Sequence, residues 1–330
     1  MADGLLNKAS IILTPTGYKA GTLYNVAPID EPYEDFDFAR TSTATRINSS
    51  GLVSNVATGV PRISYDSNGD NGHILLEPTT TNLYLNTDTL STQNISTSAS
   101  DYSVSFYGTG TITFSGSYSG SLVGTGLNDR VSLTFTATSG TLTSTVSGSV
   151  TNAQIENLGY STSYMPSLST QGVRATETAT GAGSADLINS TEGVLYAEIA
   201  ALNDDGTNRS IAICDGSTSN RVNILYSDIT KRIRAIVVVG DSTKFDEEYT
   251  ITSTLDYHKV ALKYKANDFA LWIDGVERFT DTSGDIFAQY TLDELSFNIG
   301  GDLFPFYGKV KALAVFNEAL SDSELNNLTG

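Results

Sequence analysis

The chain contains two histidines, His73 and His258. A Ser-His-Asp arrangement would have to use one of them, because activating a hydroxyl near neutral pH needs a base that titrates there. His258, in DYHKVALKY, opens a predicted strand and reads as an exposed strand histidine, whereas His73 follows DSNGDNG and reads as a loop residue. That same loop has the most motif-like spacing in the chain. Asp66, Asn68 and Asp70 occupy positions one, three and five, and Glu77 falls at position twelve, the oxygen-ligand pattern of a calcium loop. Two features oppose calcium as a cofactor: the glycine due at position six is Asn71, with Gly72 one place late, and the flanks are strand-like where helices are required. Asp-Asn-Gly clusters also arise because they tolerate tight turns.

Glycoside hydrolysis needs two carboxylates about 5 to 10 Å apart. Asp246, Glu247 and Glu248 are consecutive, so a strand would send them to alternating faces and a loop would merely solvate them. The Glu-x-Asp-x-Glu strand used by lectin-like β-sandwich glucanases does not occur. No catalytic set is expected, and the chain reads as a non-enzyme. Glu77, between the apolar run Ile74-Leu75-Leu76 and Pro78, reads as a paired or hydrogen-bonded carboxylate at a strand end, since an unpaired buried charge is too costly.

Binding residues are easier to find. In FALWI, Leu271 and Ile273 share one strand face while Ala270 and Trp272 share the other. Either the strand is covered on both sides, or Trp272, the sole tryptophan, stands free as a platform for the C–H face of a sugar ring. Phe306 and Tyr307 in FPFYGKV carry the same two readings. EPYEDFDF mixes four carboxylates with Tyr33, Phe36 and Phe38, a composition suited either to docking on another chain or to a solvated acidic loop.

These residues must be held by β structure. Of 330 residues, 39% are hydrophobic and only 17% charged, with Ser, Thr, Gly and Asn in place of charge, as on all-β surfaces. Period-two alternation runs through Tyr102-Val104-Phe106 and Val131-Leu133-Phe135-Ala137. Beyond a Gly- and Ser-rich stretch, nine strand-like runs from GVLYAEIAAL to KVKALAVF suggest a meander, with Asn267-Asp268 and Asp274-Gly275 as the turns of two successive hairpins. Ser321 and Glu324 form a capping box for one short C-terminal helix, expected as a lid across one end of a sandwich. The expected fold class is all-β: two antiparallel jelly-roll or sandwich domains after an N-terminal segment. The expected boundaries are 1–43 for attachment and oligomerisation, 44–170 for the first sandwich, 171–192 for a linker and 193–330 for the second sandwich.

Acidic side chains number 37 against 19 Lys plus Arg, a formal charge of −18. That balance excludes nucleic acid as a partner, since phosphate binding needs a basic footprint, and it disfavours anionic membranes. No segment approaches the ~18 apolar residues of a membrane span, and no basic start followed by a long apolar stretch marks export. Cys214 is the single cysteine, so no disulfide forms within the chain and a buried free thiol is expected.

ATRINSSGLV (Ala44 to Val53), PRISYD (Pro61 to Asp66), ILLEPTTTNLY (Ile74 to Tyr84) and NAQIENLGYSTSYMPS (Asn152 to Ser167), in that order, resemble a module recurrent in tailed-bacteriophage structural proteins. There the ILLEP and TNL segment leads into a jelly roll, which the NAQIE and TSYMP segment closes. The region from about 190 to 330 resembles laminin-G and concanavalin A-like lectin sandwiches through FALWIDGVER and FYGKVKALAVFNEALSDSELNNL, although no cluster of metal-coordinating acids can be matched. The resemblance implies a head or tail fibre or decoration subunit, assembled in the host cytoplasm and exposed on the virion. Its implied partners are copies of itself (a homo-oligomer, trimer before dimer), other capsid or tail proteins through residues 1–43, and a host-surface glycan. The alternative is a glycan-binding module of a secreted polysaccharide-degrading system.

Overall fold

The computed structural model describes residues 4–27 and 35–330. Strands dominate them, and they form two compact units, one of residues 4–27, 35–39, 73–76 and 178–330 and the other of 40–72 and 77–177. This division differs from the expected boundaries because the ends of each unit come from distant parts of the chain. The strand Ala9–Leu13 pairs antiparallel with Gly308–Phe316, and so does His73–Leu76. Ala9–Leu13 is therefore part of the C-terminal sandwich, while Tyr18–Lys19, Thr22–Leu23 and Phe36–Ala39 form a small sheet with Thr178–Thr180 in the same unit. The reason is apolar: Ile11 and Leu13 are fully buried.

The discontinuous C-terminal unit is a sandwich. One sheet runs Val276–Asp281, Phe269–Ile273, His258–Lys265, Glu192–Ala201, Gly308–Phe316; the facing sheet runs Ser242–Thr250, Arg232–Val239, Arg221–Tyr226, Arg209–Cys214, Glu294–Ser296. The expected meander is thus divided between two sheets, with the long strand Glu192–Ala201 pairing both His258–Lys265 and Gly308–Phe316. The two predicted hairpins do form in order, Val260 opposite Ile273 and Leu271 opposite Phe279. Asn267, Asp274 and Gly275 take the positive φ that such turns require. The helix Asp322–Thr329 starts at the predicted box, the Ser321 amide donating to Glu324 at 2.9 Å. It lies on the outer face of the first sheet instead of capping an end, because Leu320, Leu325 and Leu328 share one apolar cluster with Tyr196, Trp272 and Phe316.

The other unit holds a second sandwich. Its sheets are Gly126–Ala137, Ser100–Gly108, Thr151–Glu156 and Gln93–Thr97, Gly140–Ser147, Thr111–Gly116, Gly120–Val123. The predicted alternation sets their register, with Tyr102 opposite Phe135, Val104 opposite Leu133 and Phe106 opposite Val131. Tyr102, Phe114 and Phe135 fill the core with Ile112, Leu142 and Ile155. The supposed linker 171–192 carries ordered structure: Gly172–Arg174 pairs with Thr80–Asn82 in this unit, while Thr178–Thr180 pairs with Phe36–Ala39 in the other.

Candidate functional site

The motifs that the sequence singled out meet in one buried polar core of the unit 40–72 and 77–177. Arg62 of PRISYD donates from Nη1 to Glu77 of ILLEP at 2.8 Å and from Nε to Glu177 at 2.8 Å, with a second contact from Nη2 to Glu177. Arg174 reaches Glu77 at 3.1 Å and Arg40 reaches Glu177 at 2.6 Å. The Ser163 amide and hydroxyl, from TSYMP, donate to Glu77 at 2.8 and 2.6 Å. Asn82 of TNL donates to the carbonyls of Ala153 and Met165 and accepts from the Ile155 amide, tying the first motif segment to the last. Gln154 and Thr162 donate to Glu156, and Thr45 donates to the Tyr164 carbonyl.

Burial sets the electrostatics of this core. Desolvation pushes the Glu77 carboxyl up, but Arg174, Arg62 and the Ser163 hydrogen bonds overcome it and hold the group at about 2. Burial of the Arg62 guanidinium is likewise outweighed by Glu177 and Glu77, so its pKa rises. Glu156, whose donors are mostly neutral, is pushed up by burial. A carboxylate this deeply ionised and sealed between two arginines is a poor general acid or base at neutral pH. Glu77 is structural, as its strand-end position suggested. Sequence reasoning missed Arg40, Glu156, Arg174 and Glu177; the available signal was charge placed inside apolar or motif segments of a charge-poor chain.

The calcium pattern is resolved differently. Both oxygens of Glu77 are occupied by donors. Asp66 accepts from the amides of Asn68 and Asp70 at 2.9 Å and from the Asn71 side chain at 2.7 Å, so it closes its own turn. Gly69 and Gly51, both at positive φ, serve a close backbone approach: a Cβ on either would sit 2.3 Å from the Ser49 carbonyl oxygen or 2.2 Å from that of Ser67. Among the described residues no group of three or more His, Cys, Asp or Glu side chains is placed to hold a metal.

Four of the six aromatic candidates, Trp272, Phe306, Phe36 and Phe38, are core. Trp272 is only 7% exposed and lies in the cluster under the C-terminal helix, so its strand is covered on both sides and offers no sugar platform. Phe306 is 1% exposed and packs with Tyr226 and Phe297, while Tyr307 beside it is half-buried. Phe36 and Phe38 are buried as well, Phe36 against Phe297 at 5.1 Å, which takes both out of any attachment surface. Tyr33 lies outside the described residues. His73 belongs to a strand instead of a loop and is buried. His258 is also buried, not exposed: its Nδ1 meets Asp274 at 2.6 Å and its Nε2 the Ser253 carbonyl at 2.9 Å, leaving neither nitrogen for a nucleophile. Asp246 and Glu248 sit on the strand Ser242–Thr250 and pair with Arg234 and Arg232. Cys214 is a buried free thiol.

The structure also holds clefts that sequence reasoning did not identify, one of about 530 Å³ lined by Leu83, Leu85, Gln93 and Gln171 and one beside Tyr290. In the C-terminal sandwich residues of the segments 185–191 and 289–290 line this second cleft, of about 360 Å³. They are held together by reciprocal hydrogen bonds between Ala182 and Leu295 (3.2 and 2.6 Å) and by the Leu292 amide donating to the Ser190 hydroxyl at 2.9 Å. Asn189 is locked through its side-chain amide to the Asn317 carbonyl, and its own carbonyl accepts from the Tyr264 hydroxyl. On this fixed frame Tyr290 is 60% exposed at a φ of 63°, and Asp186 and Gln289 lie beside it in the lining, both exposed. A non-glycine residue in the left-handed region is strained, and strain held by a rigid surround concentrates at binding sites. No periodic pattern marks these loop residues, which is why the cleft was invisible in the sequence.

No family model and no curated protein matches the chain. Among solved structures, the Ruminococcus gnavus IT-sialidase CBM40 bound to α2,3-sialyllactose is 17% identical over 42% of this chain and 83% of that one, with a TM-score of 0.36. The leech intramolecular trans-sialidase complexed with 2,7-anhydro-Neu5Ac is 20% identical over 43% of this chain and 23% of that one, with a TM-score of 0.35. The receptor-binding domain of botulinum neurotoxin mosaic serotype C/D is 14% identical over 46% and 39%, also with a TM-score of 0.35. At these scores the named ligands describe those proteins and not this one.

Proposed function

We propose that this chain is a non-catalytic structural and adhesion subunit of a tailed-phage particle, displayed on the virion surface, whose lectin-like sandwich binds a host-surface glycan. The observation that carries this reading is the convergence of the phage-like motifs on one buried ionic core. Arg62, Glu77, Asn82, Gln154 and Ser163 bond to one another's segments and not to a cleft, so the motifs specify the fold of a structural module instead of an active site. Assembly as a homo-trimer, with a dimer as the second choice, suits adhesion, because linked weak sites gain roughly 10² to 10⁴ in avidity.

The test is direct. Antibody raised against the chain and applied to particles purified from the source lysate should label intact virions in electron micrographs. Antigen confined to the particle-free fraction, co-purifying with hydrolases of polysaccharide, would replace this reading with that of a secreted glycan-binding module.

A further inference from the structure

We propose that the Tyr290 cleft is the saccharide site and that it takes a neutral sugar, not a sialylated or other acidic one. The inference rests on the glycan-binding reading and adds to it a location and a ligand class. Three observations support it. First, Tyr290 offers a ring that is 60% exposed at the rim of a polar cleft, and an aromatic face is the surface against which the C–H face of a hexose packs. Second, the cleft is prearranged: the Ala182–Leu295 bridge, the Ser190–Leu292 bond and the Asn189–Asn317 bond fix both segments, so little ordering is lost when a ligand binds. Among the described residues, no hydrogen bond or ion pair within the protein engages the side chains of Asp186 or Gln289. A carboxylate that accepts and an amide that both donates and accepts are the groups that read sugar hydroxyls.

Third, the charge is wrong for an acid. The lining contains the Asp186 carboxylate and neither lysine nor arginine. Lys265, which lies close in the fold through the strand that follows Thr191, is already paired with Glu192 at 2.7 Å. A sialate or uronate entering here would bring its carboxylate beside Asp186 with no cation to receive it, and the chain as a whole carries a charge of −18. Neutral hexoses and N-acetylhexosamines meet no such opposition.

The experiment uses the full chain on a glycan array, followed by titration calorimetry with soluble probes. The probes are neutral hexose and N-acetylhexosamine oligosaccharides, sialyllactose, and a uronic-acid oligosaccharide. Neutral probes should bind, and Tyr290→Gly should weaken them by roughly tenfold or more through loss of ring stacking. Tyr290→Phe should retain binding. Because glycine accepts positive φ without strain, Tyr290→Gly should unfold at no lower a temperature than the parent, which separates lost binding from lost fold. Preference for the sialylated or uronic probe overturns the ligand class. Neutral binding that survives Tyr290→Gly overturns the location. In both cases the glycan-binding reading stands, whereas failure of every probe to bind overturns that reading together with this one.

Discussion

Replacing Glu77 with Gln tests whether the motif core holds the fold together. The substitution keeps the shape of the side chain and removes one negative charge from between Arg62 and Arg174, which approach it at 2.8 and 3.1 Å in a buried setting. A carboxyl held at about 2 against an ordinary value of 4.5 corresponds to ~3 kcal/mol of preferential stabilisation of the charged form. Deleting one member of a buried ion pair costs ~3–5 kcal/mol, since the partner cations stay buried and undercompensated. The two routes agree. For a unit of this size, ~3 kcal/mol corresponds to a fall of roughly 10 °C in the unfolding midpoint. The control is Asp246→Asn on the pair with Arg234, whose contacts are shorter still at 2.6 Å but lie near the surface. Water already screens that pair, so its loss should cost ~1 kcal/mol or less. Urea unfolding followed by circular dichroism measures both. The pH dependence has a defined sign: because the folded pKa of Glu77 is lowered, its stabilisation is present above 4.5 and is lost as pH falls toward 2. Glu77→Gln should flatten that part of the curve. A loss below ~1 kcal/mol, equal to the surface control, would refute the claim that the core is structural.

Other consequences follow from single residues. Trp272→Ala empties a site under the C-terminal helix and should cost ~3–5 kcal/mol while leaving saccharide affinity unchanged, measured by denaturation and calorimetry on the same sample. Burial opposes protonation of His258, but its bonds to Asp274 and the Ser253 carbonyl prevail and raise its pKa, so its contribution is complete below 6.5 and is lost as pH rises through the raised value. Asp274, held low against the effect of burial by His258 and the Lys259 amide, loses its contribution as pH falls below 3.8. The midpoint difference between the parent and His258→Gln should therefore shrink as pH rises through that raised value. Burial pushes the Cys214 thiol up to about 12, so it should resist a thiol reagent at pH ~8 in the native chain and react at once in urea.

Much of the local structure was legible in the chain. The alternation over Tyr102 to Phe106 and Val131 to Ala137 predicted two half-buried strands, and Asn267-Asp268 and Asp274-Gly275 predicted the hairpin turns, because period and turn chemistry are local properties. The Ser321–Glu324 box located the helix for the same reason. Trp272 was visible as an apolar residue opposite the inter-sheet face. Whether it met solvent or a helix was not visible, since the answer depends on Leu325 and Leu328 arriving from far along the chain.

The same division applies to the charges. Composition decided that this is a β protein poor in charge, and the strand-end setting of Glu77 required that it have a partner. Which arginines answer, one of them 97 residues downstream at Arg174, was decided by pairing Thr80–Asn82 with Gly172–Arg174. The interleaving of the two units, the burial of Phe36 and Phe38, and the cleft at Tyr290 belong to that second class. Periodicity records which way a side chain points from its own strand, whereas burial and site formation depend on what another segment places opposite it, and strands distant in sequence choose their neighbours only when the chain folds.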